Sequence, residues 1–187
     1  MEPRLILSPL HIKITIDRLC YQLIENHDDF SHTVIIGLQP RGVLLSQRIT
    51  DRLKTILPGS RIQTGKLDVT FYRDDFRTRE KPIIPSSTEV DFIIEDKKVV
   101  LVDDVLYTGR TIRSGLDAIL AFGRPTKVEL LTLIDRKFSR HLPIEADYVG
   151  QSIDTISSDK VKVKWEETDG EDQVWLFRKD KADEQAG

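Results

Sequence analysis

Short apolar runs at 33–38, 98–102 and 128–134 leave this chain little choice of architecture. Each is strand-length, mostly apolar and bounded by turn residues, which is how a strand buried on both faces reads. The stretches between them carry helical spacing. Ser8 before Pro9 is an N-cap followed by proline at the first helical position, and Ile12, Ile16, Leu19 and Leu23 then recur on one helical face to about residue 26. Gln39-Pro40-Arg41-Gly42 turns the first run into a helix over 43–57, which Pro58-Gly59 stops. A helix over about 111–122 follows the second run and ends at Gly123-Arg124-Pro125. Strands alternating with helices predict right-handed crossovers, hence an α/β fold with a mainly parallel central sheet flanked by helices.

Other segments are less regular. Residues 67–71 alternate apolar and polar side chains as a strand should, whereas 72–90 is rich in charge and carries Pro82 and Pro85. A loop that long inside a compact domain is usually functional or disordered, and we expect a mobile active-site loop here. Short strands at 161–165 and 174–177 flank Asp169-Gly170 and predict an antiparallel hairpin, while 179–187 reads as a frayed polar tail. No repeat or linker divides residues 1–187, so one domain is expected. A net charge of -3 gives no whole-chain field to recruit nucleic acid. The single cysteine, Cys20, excludes an intrachain disulfide and reads as a small apolar helix residue. No stretch approaches the length of a membrane span, and a cytoplasmic protein is expected.

Chemistry concentrates between residues 99 and 112. A buried strand delivers Asp103 and Asp104 to the sheet edge, where open α/β sheets bind ligands, and Val105, Leu106, Tyr107, Thr108, Gly109, Arg110 and Thr111 lead into a helix. Backbone N–H groups, two threonine hydroxyls and the helix dipole suit a phosphate there, with Gly109 permitting close backbone approach. Carboxylates beside a phosphate cradle repel a bare polyanion, so they serve another part of the ligand. Vicinal ribose hydroxyls, which donate to acidic oxygens, fit that need. The ligand implied is a sugar phosphate. Arg41, in a tight turn ahead of a helix, offers a cation and N–H donors to an anionic group. The four histidines (His11, His27, His32 and His141) show no ligand spacing, read as surface or helix residues, and give no candidate general base.

The 99–112 segment resembles the phosphoribosyl diphosphate motif of type I phosphoribosyltransferases. The blocks at 37–42, 67–75, 133–136 and 142–150 make the chain similar to the bacterial pyrimidine-operon regulators that double as uracil phosphoribosyltransferases. The resemblance implies a type I fold with a small hood, and synthesis of UMP and diphosphate from uracil and phosphoribosyl diphosphate. It implies that Asp103 and Asp104 hold the ribose, that Thr108, Gly109, Arg110 and Thr111 wrap the 5′-phosphate, and that diphosphate lies at Pro40 and Arg41. Where Pro40 stands, the family commonly has a small hydroxyl residue. Arg73, on the long loop, would reach the departing diphosphate, giving Asp103, Asp104 and Arg73 as the catalytic set. Arg136 would contact substrate, and main-chain groups near Val161 would hold the pyrimidine. Mg²⁺ would be carried mainly by the substrate diphosphate rather than by a protein cage. A homodimer or higher oligomer is expected. The shared motif leaves a purine or orotate phosphoribosyltransferase as the alternative enzyme.

Relatives of this kind also bind pyrimidine-operon leader mRNA in response to uridine nucleotides, which makes an RNA-binding attenuator with vestigial catalysis the alternative of another class. An RNA hairpin needs clustered Lys and Arg. Residues 10–30 hold two basic against four acidic residues, and 136–164 hold six against four, so neither is a strong basic stripe. Arg18 is kept, but Asn26, Glu145 and Gln151 stand where RNA-binding members carry basic residues, and the 137–141 stretch shows a one-residue insertion.

Overall fold

A computed structural model describes residues 2–69 and 87–178. Its elements are β1 (Glu2–Leu7), α1 (Pro9–His27), β2 (Thr33–Leu38), α2 (Gly42–Ile56), β3 (Gln63–Leu67), β4 (Lys98–Leu106), α3 (Arg110–Ile119), β5 (Lys127–Lys137), β6 (Tyr148–Asp154), β7 (Lys160–Lys164), α4 (Glu166–Asp169) and β8 (Gln173–Arg178). Five strands form a parallel sheet in the order β3-β2-β4-β5-β6. The other three form an antiparallel sheet, β1-β8-β7. The expected parallel sheet and C-terminal hairpin are therefore both present, with the short α4 at the turn where Asp169-Gly170 stands.

Strand pleating sorts the core into two layers. Ile35, Val100, Val102, Leu131 and Leu133 pack with Leu19, Leu23, Leu45 and Ile49 of α1 and α2. Val34, Ile36, Val99, Leu101 and Leu130 pack with Ile112, Ala118 and Ile119 of α3. The helices thus cover opposite faces, as a parallel sheet requires. Along β4 this alternation reverses across the acidic pair, since Leu101 belongs to the α3 layer and Val105 to the α1/α2 layer. Thr132 stitches the irregularity: its Oγ1 accepts from Leu106 N at 3.2 Å and donates to Ile134 O at 3.0 Å.

Three expectations need correction. The strand read at 67–71 forms instead at Gln63–Leu67, and Asp68 and Val69 lie outside it, because parallel pairing with β2 sets the register. β4 continues through Leu106, so the acids lie within the strand rather than after it. β1 was not anticipated: its partner, β8, is at the far end of the chain, and such pairing leaves no local pattern. Of the expected 72–90 loop, only 87–90 is described, tied to β3 by the Lys66–Glu89 bridge. Arg73 and the tail at 179–187 lie outside the described residues. Cys20 is buried, and burial pushes its thiol up to about 12, as an inert core residue requires. No helix among the described residues is long and apolar enough to cross a membrane.

Candidate active site

The acidic pair and the two loops that flank it meet because α2 enters directly against β4. A Cβ on Gly42 would lie 2.2 Å from Val102 O and 3.0 Å from Asp103 Cα, so only glycine allows this approach. The turn before it holds a cis Gln39–Pro40 peptide and places Arg41 beside Asp104. Arg41 Nε lies 3.4 Å from Asp104 Oδ2, while Nη2 donates to Val163 O at 2.6 Å and to Asp169 Oδ2 at 3.2 Å.

Asp103 and Asp104 are nearly buried, at 9% and 8% exposure. Asp103 Oδ1 accepts from Asp104 N at 3.0 Å, which fixes that carboxylate. Burial pushes the Asp104 carboxyl up to about 6, against the pull of Arg41. Its ionised form is therefore kept at a cost and gains from any donor that arrives. Hydroxyl groups of a sugar are such donors.

Beyond the pair, Gly109 is the N-cap of α3 at φ 88°, a conformation that suits glycine, and Ile144 and Leu142 crowd the place a Cβ would take. Gly109 has no side chain to cap the helix, Thr108 Oγ1 accepts from Arg110 N at 3.4 Å, and the backbone N–H groups of such a helix entry suit an anion. The loop is held from behind. Thr108 O accepts from His141 N at 3.0 Å and Leu142 N at 3.1 Å. Arg140 reaches both the Tyr107 carbonyl and the buried Asp135. Sequence reasoning gave Asp135 and Arg140 no role; an acid at the end of a core strand with an arginine five residues on was the signal available.

The remaining candidates divide. Arg136 is 5% exposed, its Nε donates to Thr155 Oγ1 and its Nη2 to Ile156 O and Asp159 O, each at 3.0 Å. It also stacks 3.8 Å from the Tyr107 ring centroid, and Tyr107 OH donates to Ser157 O at 3.2 Å. Arg136 thus organises the 155–159 segment and Tyr107 through contacts within the protein. Leu106 is buried in the α3 layer, so only its main chain can face a ligand. Val161 lies in β7 opposite Leu176, in the antiparallel sheet rather than beside the acids in sequence. His27 is on a helix as expected, but is buried far from these residues in sequence. Among the described residues no group of three or more His, Cys, Asp or Glu could hold a metal ion. Two adjacent carboxylates suit a hydrated cation that a ligand brings with it.

A parallel sheet with an acidic pair and a glycine-turned helix entry at one strand end, roofed by an antiparallel hood, is the type I phosphoribosyltransferase architecture. The chain matches the phosphoribosyl transferase domain model over residues 6–168 and belongs to that family. A "Bifunctional protein PyrR" of Desulfosudis oleivorans is 46% identical over 175 residues, covering 93% of this chain and 96% of the relative. One of the same name from Enterococcus faecalis is 42% identical over 178 residues, covering 95% and 98%. Among solved structures, a hypoxanthine phosphoribosyltransferase of Trypanosoma cruzi superposes with a TM-score of 0.71 at 14% identity, covering 95% of this chain and 97% of that one. The corresponding Staphylococcus aureus enzyme gives 0.68 at 21%, covering 96% and 94%. At these identities the structural likeness speaks for the fold, not for the base.

Proposed function

We propose that this protein transfers the phosphoribosyl group of phosphoribosyl diphosphate to uracil, forming UMP and diphosphate. The observation that carries the reading is the nearly buried Asp104 carboxylate beside Arg41, on the strand that leads into the Gly109 helix entry. Here the 5′-phosphate lies at Thr108, Gly109, Arg110 and Thr111, and the ribose hydroxyls donate to Asp103 and Asp104. Diphosphate lies against the turn at Pro40 and Arg41. A pyrimidine ring nitrogen attacks the anomeric carbon as the bond to diphosphate breaks, and positive charge grows on the ribose ring. The acids stabilise that charge. Asp103 and Asp104 would help to hold a hydrated Mg²⁺ brought in mainly by the substrate diphosphate, and that ion would supply charge neutralisation to the leaving group. Arg73 assists the leaving group, and the 155–161 segment holds the base. Uracil as acceptor is supported by the resemblance in the outer sequence blocks and by the kinship with PyrR proteins. Incubation with Mg²⁺, phosphoribosyl diphosphate and each base in turn tests this. UMP is expected from uracil, and product from hypoxanthine or orotate with none from uracil would overturn it.

A second reading, binding of pyrimidine-operon leader RNA, is favoured by the word "bifunctional" in the relatives' name. Local geometry argues for weak binding. Arg18 donates to its own chain at Val149 O (3.1 Å), Gly150 O (2.5 Å) and Gln22 Oε1 (3.2 Å), which leaves it little for a phosphate. Filter binding at several salt concentrations decides: a specific role requires leader RNA to bind better than unrelated RNA, with a salt slope of several phosphates.

A further inference from the structure

Asp169, the last residue of α4, is held by three donors on one oxygen. Trp165 N at 3.2 Å, Thr168 Oγ1 at 2.9 Å and Arg41 Nη2 at 3.2 Å all reach Oδ2, and Lys162 Nζ lies 3.8 Å from Oδ1. The first two contacts are local; they orient the carboxylate. The third crosses 128 residues to the turn ahead of α2. Arg41 therefore spans two carboxylates, Asp104 in the parallel sheet and Asp169 in the hood, with the Val163 carbonyl in contact with the same nitrogen as Asp169. Among the described residues Nη1 has no hydrogen-bond partner. A long side chain that must be ordered on binding loses rotamer entropy at that moment; one ordered beforehand does not.

We infer that Asp169 is a positioning residue for Arg41: with the Val163 carbonyl it holds the guanidinium over Asp104 before substrate arrives, poised for a diphosphate oxygen. The hood thereby contributes to phosphoribosyl diphosphate affinity through a residue that never touches the substrate. Without Asp169, Arg41 keeps only the Val163 carbonyl and Asp104, and diphosphate must finish ordering the side chain while competing with Asp104 for it. This inference rests on the phosphoribosyl diphosphate reading above.

A double-mutant cycle with Arg41 tests it, read by uracil turnover with Mg²⁺ and by calorimetric titration of phosphoribosyl diphosphate. Asp169→Asn keeps the local acceptor and removes the charge. It should raise KM and Kd for phosphoribosyl diphosphate about tenfold with kcat within about twofold, the pattern of lost ground-state positioning. In an Arg41→Ala background the same substitution should change either constant by less than about twofold, because coupled residues do not add. Glu171→Gln, which breaks the hood's 2.8 Å pair with Lys164, should leave both constants unchanged. If Asp169→Asn does not fold, Asp169→Ser retains a small acceptor for Trp165 N and runs the same cycle. Unaltered affinity in the Asp169 variant, or an equal loss with and without Arg41, overturns the inference. Wild-type protein that neither binds phosphoribosyl diphosphate nor turns over any base overturns the parent reading instead.

Discussion

Both ends of the parallel sheet bury a carboxylate, but with different company. At the N-terminal end of the strands, Glu129 is 6% exposed and meets His27 Nε2 at 2.9 Å, Tyr148 OH at 3.5 Å and Lys127 Nζ at 2.5 Å. His27 in turn pairs Nδ1 with Thr33 Oγ1 at 3.1 Å. With its proton on Nε2, the imidazole donates to Glu129 and accepts from Thr33, so the network is closed. At the C-terminal end, Asp104 is 8% exposed with a single cation at 3.4 Å. A buried acid bonded to side chains of several elements locks those elements together; one met only by a single cation and by backbone N–H groups of its own strand keeps capacity for further donors. The first ties the end of α1 to β2, β5 and β6. The second waits for a ligand.

Breaking the second end should cost the most. Asp104→Asn is expected to lower kcat/KM for phosphoribosyl diphosphate by about 10²–10³, the usual loss when one electrostatic stabiliser is removed. Its thermal midpoint should hold or rise, because a desolvated charge has gone. Steady-state kinetics beside calorimetry checks both; full activity, or a fall in stability, would make Asp104 resemble Glu129 instead. The reciprocal change, Glu129→Ala, takes the carboxylate acceptor from buried His27 Nε2 and leaves it only Tyr148 OH at 3.1 Å. We expect a loss of about 2–4 kcal/mol in urea unfolding, with turnover per folded molecule intact.

Arg136 sharpens the comparison, since it lies near the catalytic end yet its Nε and Nη2 donate to Thr155, Ile156 and Asp159 of the protein itself. Arg136→Lys removes the stack on Tyr107 and most of the fork, worth about 1–2 kcal/mol. The expected result is a raised KM for uracil and an unchanged KM for phosphoribosyl diphosphate, because the 155–159 segment loosens while the acids stay in place. A change confined to phosphoribosyl diphosphate would move Arg136 into the diphosphate site.

The sequence made one of these ends legible and hid the other. Asp103 to Thr111 is continuous in the chain, so its acids, hydroxyls and glycine announce their chemistry in order. The Glu129 network draws one or two residues each from α1, β2, β5 and β6, and His27 alone looked like an ordinary helix residue. Arg41 fell between: its turn was visible, but its second partner, Asp169, was hidden in what read as a hairpin turn. The orientation of Arg136 failed to show for the same reason, since its acceptors, a threonine hydroxyl and two main-chain carbonyls, lie 19 to 23 residues away. Parallel register was also out of reach. β3 carries only Gly65 and Leu67 as buried positions, too sparse a pattern to outweigh the better alternation that follows it.

Protonation offers the smallest and most discriminating effect, because the two ends respond to pH with opposite signs. Burial raises Asp104 from an ordinary 3.8 to about 6, so the folded state binds that proton more tightly than the unfolded chain. Its contribution to stability is fully present below 3.8 and is lost as pH rises through about 6. Burial lowers His27 below its ordinary 6.5, despite the opposing pull of Glu129. Its contribution is present above 6.5 and is lost as pH falls through the folded value. The two slopes oppose each other in the mildly acidic range. Asp104→Asn removes only the first slope. Its stability advantage over wild type should therefore be small near pH 4 and widen toward pH 7, whereas His27→Gln should flatten the other limb and leave the Asp104 slope exposed. Urea unfolding of the three proteins at pH 4.5, 5.5 and 7 reads this directly. An Asp104→Asn difference that stays constant across the series would mean that its carboxylate is as well satisfied as that of Glu129, and the contrast between the two ends would fail at its chemical root.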